Sequence, residues 1–157
     1  MKQLIYLFAL AMVFSACSSN VDANKKMAGD FLDLALSANP LDAQELTHPD
    51  FKFVFMGNTE ISNIPYDRDE YFDYWLPEVV GKLLPTGITL TTTDMIADDN
   101  GVAVIMEGDA EGINGEYDNK YVFVYKFKDG KILSIHEYNS DLLVATRLYK
   151  NKLVPSD

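Results

Sequence analysis

Residues Gly101–Ser140 read GVAVIMEGDAEGINGEYDNKYVFVYKFKDGKILSIHEYNS, and this stretch decides the fold. Apolar residues recur with period two, the mark of strands that bury one face. The runs break at Gly112-Ile113-Asn114-Gly115 and Lys128-Asp129-Gly130, which are rich in hairpin residues. A third such break, Asp99-Asn100-Gly101, joins the stretch to an earlier run. The region therefore predicts four β segments: Ile88–Ala97, Val102–Ala110, Tyr117–Phe127 and Lys131–Ser140.

Upstream the period is helical. Met27, Phe31, Leu34 and Ala38 share one face, widened by Leu32, Ala35 and Leu36. This helix must stop near Asn39, because Pro40 disfavours helical geometry in the residue before it. A short second helix, Leu41–Leu46, leads to a strand in which Phe51, Phe53 and Phe55 alternate with Lys52, Val54 and Met56. Asp67 with Glu70 three residues on has the spacing of a capping box and opens a third helix carrying Tyr71, Phe72, Tyr74, Trp75 and Leu76. Pro77 bends or restarts that helix, and Gly81 or Leu84-Pro85 ends it. Helices first and hairpin-linked strands afterwards argue an α+β fold with a curved antiparallel sheet.

The chain has 157 residues, room for one domain and a short leader. Thirteen Lys and Arg against 24 Asp and Glu give a net charge of −11, a surface that repels phosphate backbones, so no nucleic-acid partner is expected. A single cysteine excludes an internal disulfide, and the histidines His48 and His136 belong to no ligand-spaced cluster. No metal and no cofactor are expected.

At the N-terminus Lys2 precedes an apolar run, Leu4–Val13, too short to span a bilayer but fit for a cleaved signal. Phe14-Ser15-Ala16-Cys17 resembles the bacterial lipobox, with Phe where Leu is usual. The resemblance implies that Cys17 becomes an acylated N-terminus, anchored stably by two or three chains. The expected organisation is a signal peptide over 1–16, a lipidated polar tether over 17–24, a domain over 25–150 and a tail over 151–157. The expected location is the bacterial envelope. Ser18 after the cysteine favours the periplasmic face of the outer membrane over the inner membrane.

The order of elements resembles the NTF2-like superfamily, in particular its SnoaL-like branch, which includes ketosteroid isomerases. The residues that carry the resemblance are Leu41–Leu46 with His48-Pro49-Asp50-Phe51, then Gly115–Tyr121, then Gly130-Lys131-Ile132 running into Glu137-Tyr138. It implies a cone in which the bent sheet wraps the long N-terminal helix, with two further helices and a pocket open at one end. Many members form homodimers through the outer face of the sheet.

Within that frame the pocket walls can be named. Tyr121, Phe123, Tyr125 and Phe127 form the lysine-free face of their strand and should point inward. Matching the last hairpin to that of ketosteroid isomerases puts Ile135, Glu137 and Asn139 on the pocket side, with Leu133 at the start of the same set. Phe53, Phe55, Tyr71 and Trp75 complete the apolar lining. Glu107, on a face with Ala103 and Ile105, is a candidate second carboxylate. His136 should face away from Glu137, and His48 is read as a surface loop residue. The strand Phe51–Gly57 lacks the proton-abstracting acid of the ketosteroid isomerases, Phe123 stands where their oxyanion-hole acid falls, and Asp67-Arg68-Asp69 is a helix start.

Three readings remain open. The cone binds a small apolar or amphipathic molecule without catalysis. Alternatively it is a proton-transfer enzyme of cyclase, isomerase or lyase type, with Glu137 as base and Tyr121 as hydrogen-bond donor. In the third it is a protein-interaction or dimerisation module.

Overall fold

The computed structural model describes residues 20–155. Cys17 and the leader lie outside the described residues. Helix α1 is already helical at residue 20 and runs through residue 35, so residues 20–24, expected in a polar tether, are helical. It ends before Asn39 because Ser37 caps it: its hydroxyl and its backbone N–H both donate to the Leu34 carbonyl, at 2.7 and 3.1 Å. Helix α2 (Leu41–Glu45) then feeds strand β1 (Thr47–Met56), which starts earlier than the Phe alternation suggested. His48 is consequently a buried strand residue, not a loop residue, and its Nδ1 accepts from the Asp50 backbone N–H at 3.0 Å.

Strand β2 (Pro65–Asp67) ends at the expected capping box. The Asp67 carboxylate accepts from the Glu70 N–H at 3.0 Å, and Glu70 accepts from the Asp67 N–H at 2.8 Å. Helix α3 (Arg68–Glu70) passes into a π-helical stretch, Tyr71–Val80, and closes with α4 (Gly81–Leu83). The wide turn accommodates Pro77, which has no N–H to offer an α-helical carbonyl. The Gly81 N–H reaches back to Leu76 O, five residues away. Pro77 is thus absorbed rather than acting as a break.

Strands β3 (Ile88–Asp98), β4 (Gly101–Gly112), β5 (Gly115–Glu116), β6 (Lys120–Lys128) and β7 (Lys131–Tyr138) follow. The sheet has seven strands in the order β2-β1-β7-β6-β4-β3, with β5 paired to β4. The expected antiparallel sheet is mixed, because β1 runs parallel to β7. Such a pairing needs a long crossover, and everything between β1 and β7 supplies it. A short helix α5 (Asp141–Leu143), capped by Ser140, continues into a second π-helical turn, Val144–Leu148.

One apolar core fills the cone, with Phe31, Phe51, Phe53, Tyr125, Ile132 and Ile135 essentially sealed from water. Ile132 rather than Leu133 points inward, since a bulge between Lys126 and Phe127 shifts the β6–β7 register there. Beyond the bulge the faces are as expected.

Candidate functional site: a cavity inside the cone

The strand register sets the site. Glu137 on β7 lies between Phe55 on β1 and Phe123 on β6, so the acid is flanked across the sheet by two aromatic rings. Opposite the sheet, the π-helical stretch presents Tyr71 and Trp75. Gly112 lets the C-terminal segment approach: a Cβ there would lie 2.9 Å from both Arg147 O and Leu148 Cδ2. Leu148 thereby joins the wall. The half-open cavity has a volume of about 80 Å³, lined also by Leu32, Ile88 and Leu90. A single water needs roughly 10–15 Å³, so there is room for a small organic molecule or several waters.

Polar groups gather at Glu137. Burial pushes its carboxyl up to about 8, only partly opposed by Asn139, whose Nδ2 donates to Oε1 at 3.0 Å. Tyr71, Tyr121 and Tyr125 are pushed above the ordinary phenol range, first by burial, and negative charge on Glu137 adds to each. Tyr117 is pushed up by burial as well, to about 12. The Tyr125 hydroxyl and Asn139 Oδ1 are buried without a hydrogen-bond partner. At neutral pH Glu137 is therefore mostly a neutral acid among phenols. No basic side chain is among the described residues that line the cavity.

Glu137, Tyr121, Phe123, Phe55, Tyr71 and Trp75 all line the cavity, as the sequence suggested. Phe53 and Ile135 are buried behind the lining. The Phe53 ring packs under Tyr71 and Trp75, with centroids 4.8 and 4.9 Å apart. Asn139 touches the site through Glu137. Glu107 does not belong to it: Val102, Val104 and Met106 are the buried face of β4, and Glu107 is exposed, paired with Lys120 on the outside. His136 pairs in register with Val54 and Val124, on the face opposite Glu137, so no dyad forms.

Sequence reasoning missed Tyr117, which lies in the connector after β5, and Leu148, in the C-terminal segment. Tyr117 was masked by being placed in a strand with no assigned face. For Leu148 a signal existed: Ser140 before Asp141-Leu142-Leu143 is an N-cap pattern. Gly108 also shapes the site, because a Cβ there would meet Tyr121 Cε2 at 2.7 Å. Among the described residues no three His, Cys, Asp or Glu side chains gather as a metal site.

The family model described as a SnoaL-like domain matches residues 28–135. No protein of curated function matches this sequence. The structure resembles that of Bal32a from a soil-derived mobile gene cassette, with a TM-score of 0.69 at 17% identity, covering 82% of this chain and 96% of that one. It resembles an NTF2-like protein from Burkholderia xenovorans LB400 (TM-score 0.63, 13% identity, 82% and 97% covered). A Jannaschia sp. CCS1 protein, named as a candidate SnoaL-like polyketide cyclase, aligns with a TM-score of 0.62 at 12% identity over 82% and 96%. Identities this low speak for the fold alone. The family match, the curled sheet around α1 and the cavity at its open side agree: the chain belongs to the SnoaL-like family, with the NTF2-like cone fold.

Proposed function

We propose that the cone takes up a small, neutral, largely apolar molecule carrying an oxygen function, and that Glu137 faces that oxygen. The observation that carries this reading is the half-open apolar cavity, walled by aliphatic and aromatic side chains, with its one carboxylic acid part-buried among tyrosines. An anionic guest would find no cation among the described lining residues and would meet the field of a strongly acidic protein. Trp75 is the only tryptophan of the chain and stands in the cavity wall, so its fluorescence reports occupancy directly. Titration with small cyclic ketones should change Trp75 emission saturably. Absence of any saturable response to neutral oxygen-bearing probes would sink the reading.

The raised pKa of Glu137 favours a second reading, proton transfer with Glu137 as acid or base, because a group poised near neutrality moves protons most effectively. Glu137→Gln separates the two. Under the binding reading ring-shaped guests still bind. Under the enzymatic one, turnover of a cognate substrate collapses while binding persists.

We also propose that Cys17 anchors the protein to the bacterial envelope, supported by Phe14-Ser15-Ala16-Cys17 after an apolar run. Among the described residues no helix is long and apolar enough to cross a membrane. Cys17→Ala should move the protein out of the membrane fraction. Two convex rows, Val54-His136-Val124-Ala103 and Met56-Tyr138-Val122-Ile105, support pairing of two copies through this face.

A further inference from the structure

We propose that the tips of the β3–β4 and β6–β7 hairpins are the face of the domain that meets the bilayer, and that the cavity is turned away from it, toward the aqueous compartment. This inference rests on the anchoring of Cys17 proposed above and names the surface that the anchor brings to the lipid. A guest then reaches the chamber through water.

The argument starts from the two ends of α1. Asn20, Val21 and Asn24 border one surface hollow together with the tips of the two hairpins, residues 99–101 and 128–130. The Lys126 ammonium donates to the Asn100 carbonyl at 2.9 Å and ties those tips together. Leu32 and Leu36, at the other end of α1, line the cavity. At a rise of about 1.5 Å per residue they stand roughly 18 and 24 Å from residue 20 along the helix axis. The strands repeat this polarity. Phe55 and Glu137 lie near the ends of β1 and β7, and Ile88, Leu90, Tyr121 and Phe123 near the starts of β3 and β6, and all of them line the cavity. The hairpin tips are the opposite ends of those strands. At about 3.3 Å per residue, Lys128 lies roughly 23 Å from Tyr121 along β6.

Covalent geometry decides which end is held. Three residue steps lead from Cys17 to residue 20. Even a fully extended chain spans at most about 3.6 Å per step, roughly 11 Å in all. A cavity directed at the bilayer needs a tether about as long as α1, roughly twice that reach. The anchored end is therefore the one that carries the hairpin tips. Charge acts in the same direction. At the hairpin end Lys126, Lys128 and Lys131 are interspersed with Asp98, Asp99 and Asp129. At the cavity end Asp109, Glu111, Glu116 and Asp118 stand exposed on β4, β5 and the residues just after, a face that an anionic leaflet repels.

The test uses the protein extracted from the envelope and reconstituted into phosphatidylethanolamine–phosphatidylglycerol vesicles that carry a nitroxide on part of their headgroups. Acylation consumes the thiol of the chain's one cysteine, so Asn100→Cys or Ile113→Cys supplies a single thiol for a fluorophore. Both are exposed turn residues, the first at the hairpin end and the second at the cavity end. The label at position 100 should be quenched several-fold more strongly than the label at position 113. Trp75, the sole tryptophan and part of the cavity wall, gives a reading in the unsubstituted protein and should keep its emission. Equal or stronger quenching at position 113, or quenching of Trp75 by the headgroup nitroxide, overturns the orientation. Flotation separates this inference from the anchor itself. Where the wild type floats with the vesicles and Cys17→Ala does not, the anchor stands and the labels judge the orientation alone. A wild type that stays in solution removes the anchor, and this proposal with it.

Discussion

Asn139, just past the end of β7, donates an amide N–H to Glu137 Oε1 across 3.0 Å. It is the one contact that favours the charged carboxylate, against burial that disfavours it. Asn139→Ala should therefore raise the Glu137 pKa above its value of about 8. Carboxyl carbon NMR of Glu137 against pH checks this, and an unchanged or lower midpoint would contradict the site geometry.

The same burial makes folding stability depend on pH. Glu137 has an ordinary value of 4.5 when exposed and about 8 when folded, so the native state holds its proton more tightly. Its contribution is complete below pH 4.5 and is lost as pH rises through 8. The shift corresponds to an upper limit of about 5 kcal/mol, reduced by whatever water the cavity admits. Glu137→Gln should match the wild type in denaturant midpoint at pH 4.5 and exceed it at pH 9. Parallel stability curves for the two proteins would refute the buried acid.

Gly108 sets the position of the Tyr121 ring. Adding a methyl group in Gly108→Ala would place carbon 2.7 Å from Tyr121 Cε2 and 3.0 Å from Ile88 Cδ1. The ring must move toward the cavity, with a loss of roughly 1–3 kcal/mol in stability and weaker uptake of ring-shaped guests. Urea denaturation and Trp75 titration measure the two effects.

The convex rows predict a further outcome. Val124 is half-buried in the single chain and sits beside His136 and Ala103 in register. Val124→Lys should convert the proposed dimer to a monomer in sedimentation velocity while leaving Trp75 emission unchanged, since the substitution lies on the far side of the sheet from the cavity. A wild type that sediments as a monomer at all concentrations would remove the pairing.

What the sequence reveals and conceals divides along physical lines. The capping box at Asp67 and Glu70 was readable because its signal is local. The inward face of β6 was readable because lysines mark the other face. In β4 both faces are apolar over Val102–Met106, so alternation could not choose between them, and Glu107 was assigned to the wrong side. The Ile132 bulge and the parallel β1–β7 pairing depend on how distant strands meet, which no local pattern records. Glu137 emerged only because a family resemblance supplied the frame of β7, and Tyr117 stayed hidden because it follows a two-residue strand and reaches the cavity wall only as the cone closes.

Leu36, Leu76, Val80, Leu84 and Ile88 border the inner cavity on one side and, on the other, an outer groove between the end of α1, the π-helical stretch and the start of β3. The chamber is thus separated from bulk solvent there by a membrane one side chain thick, made of aliphatic groups that rotate on fast timescales. A guest could cross it by rotamer changes alone, with the backbone hydrogen bonds of the sheet left intact. Whatever occupies the groove outside therefore leans on the same leucines and valine that shape the hollow within.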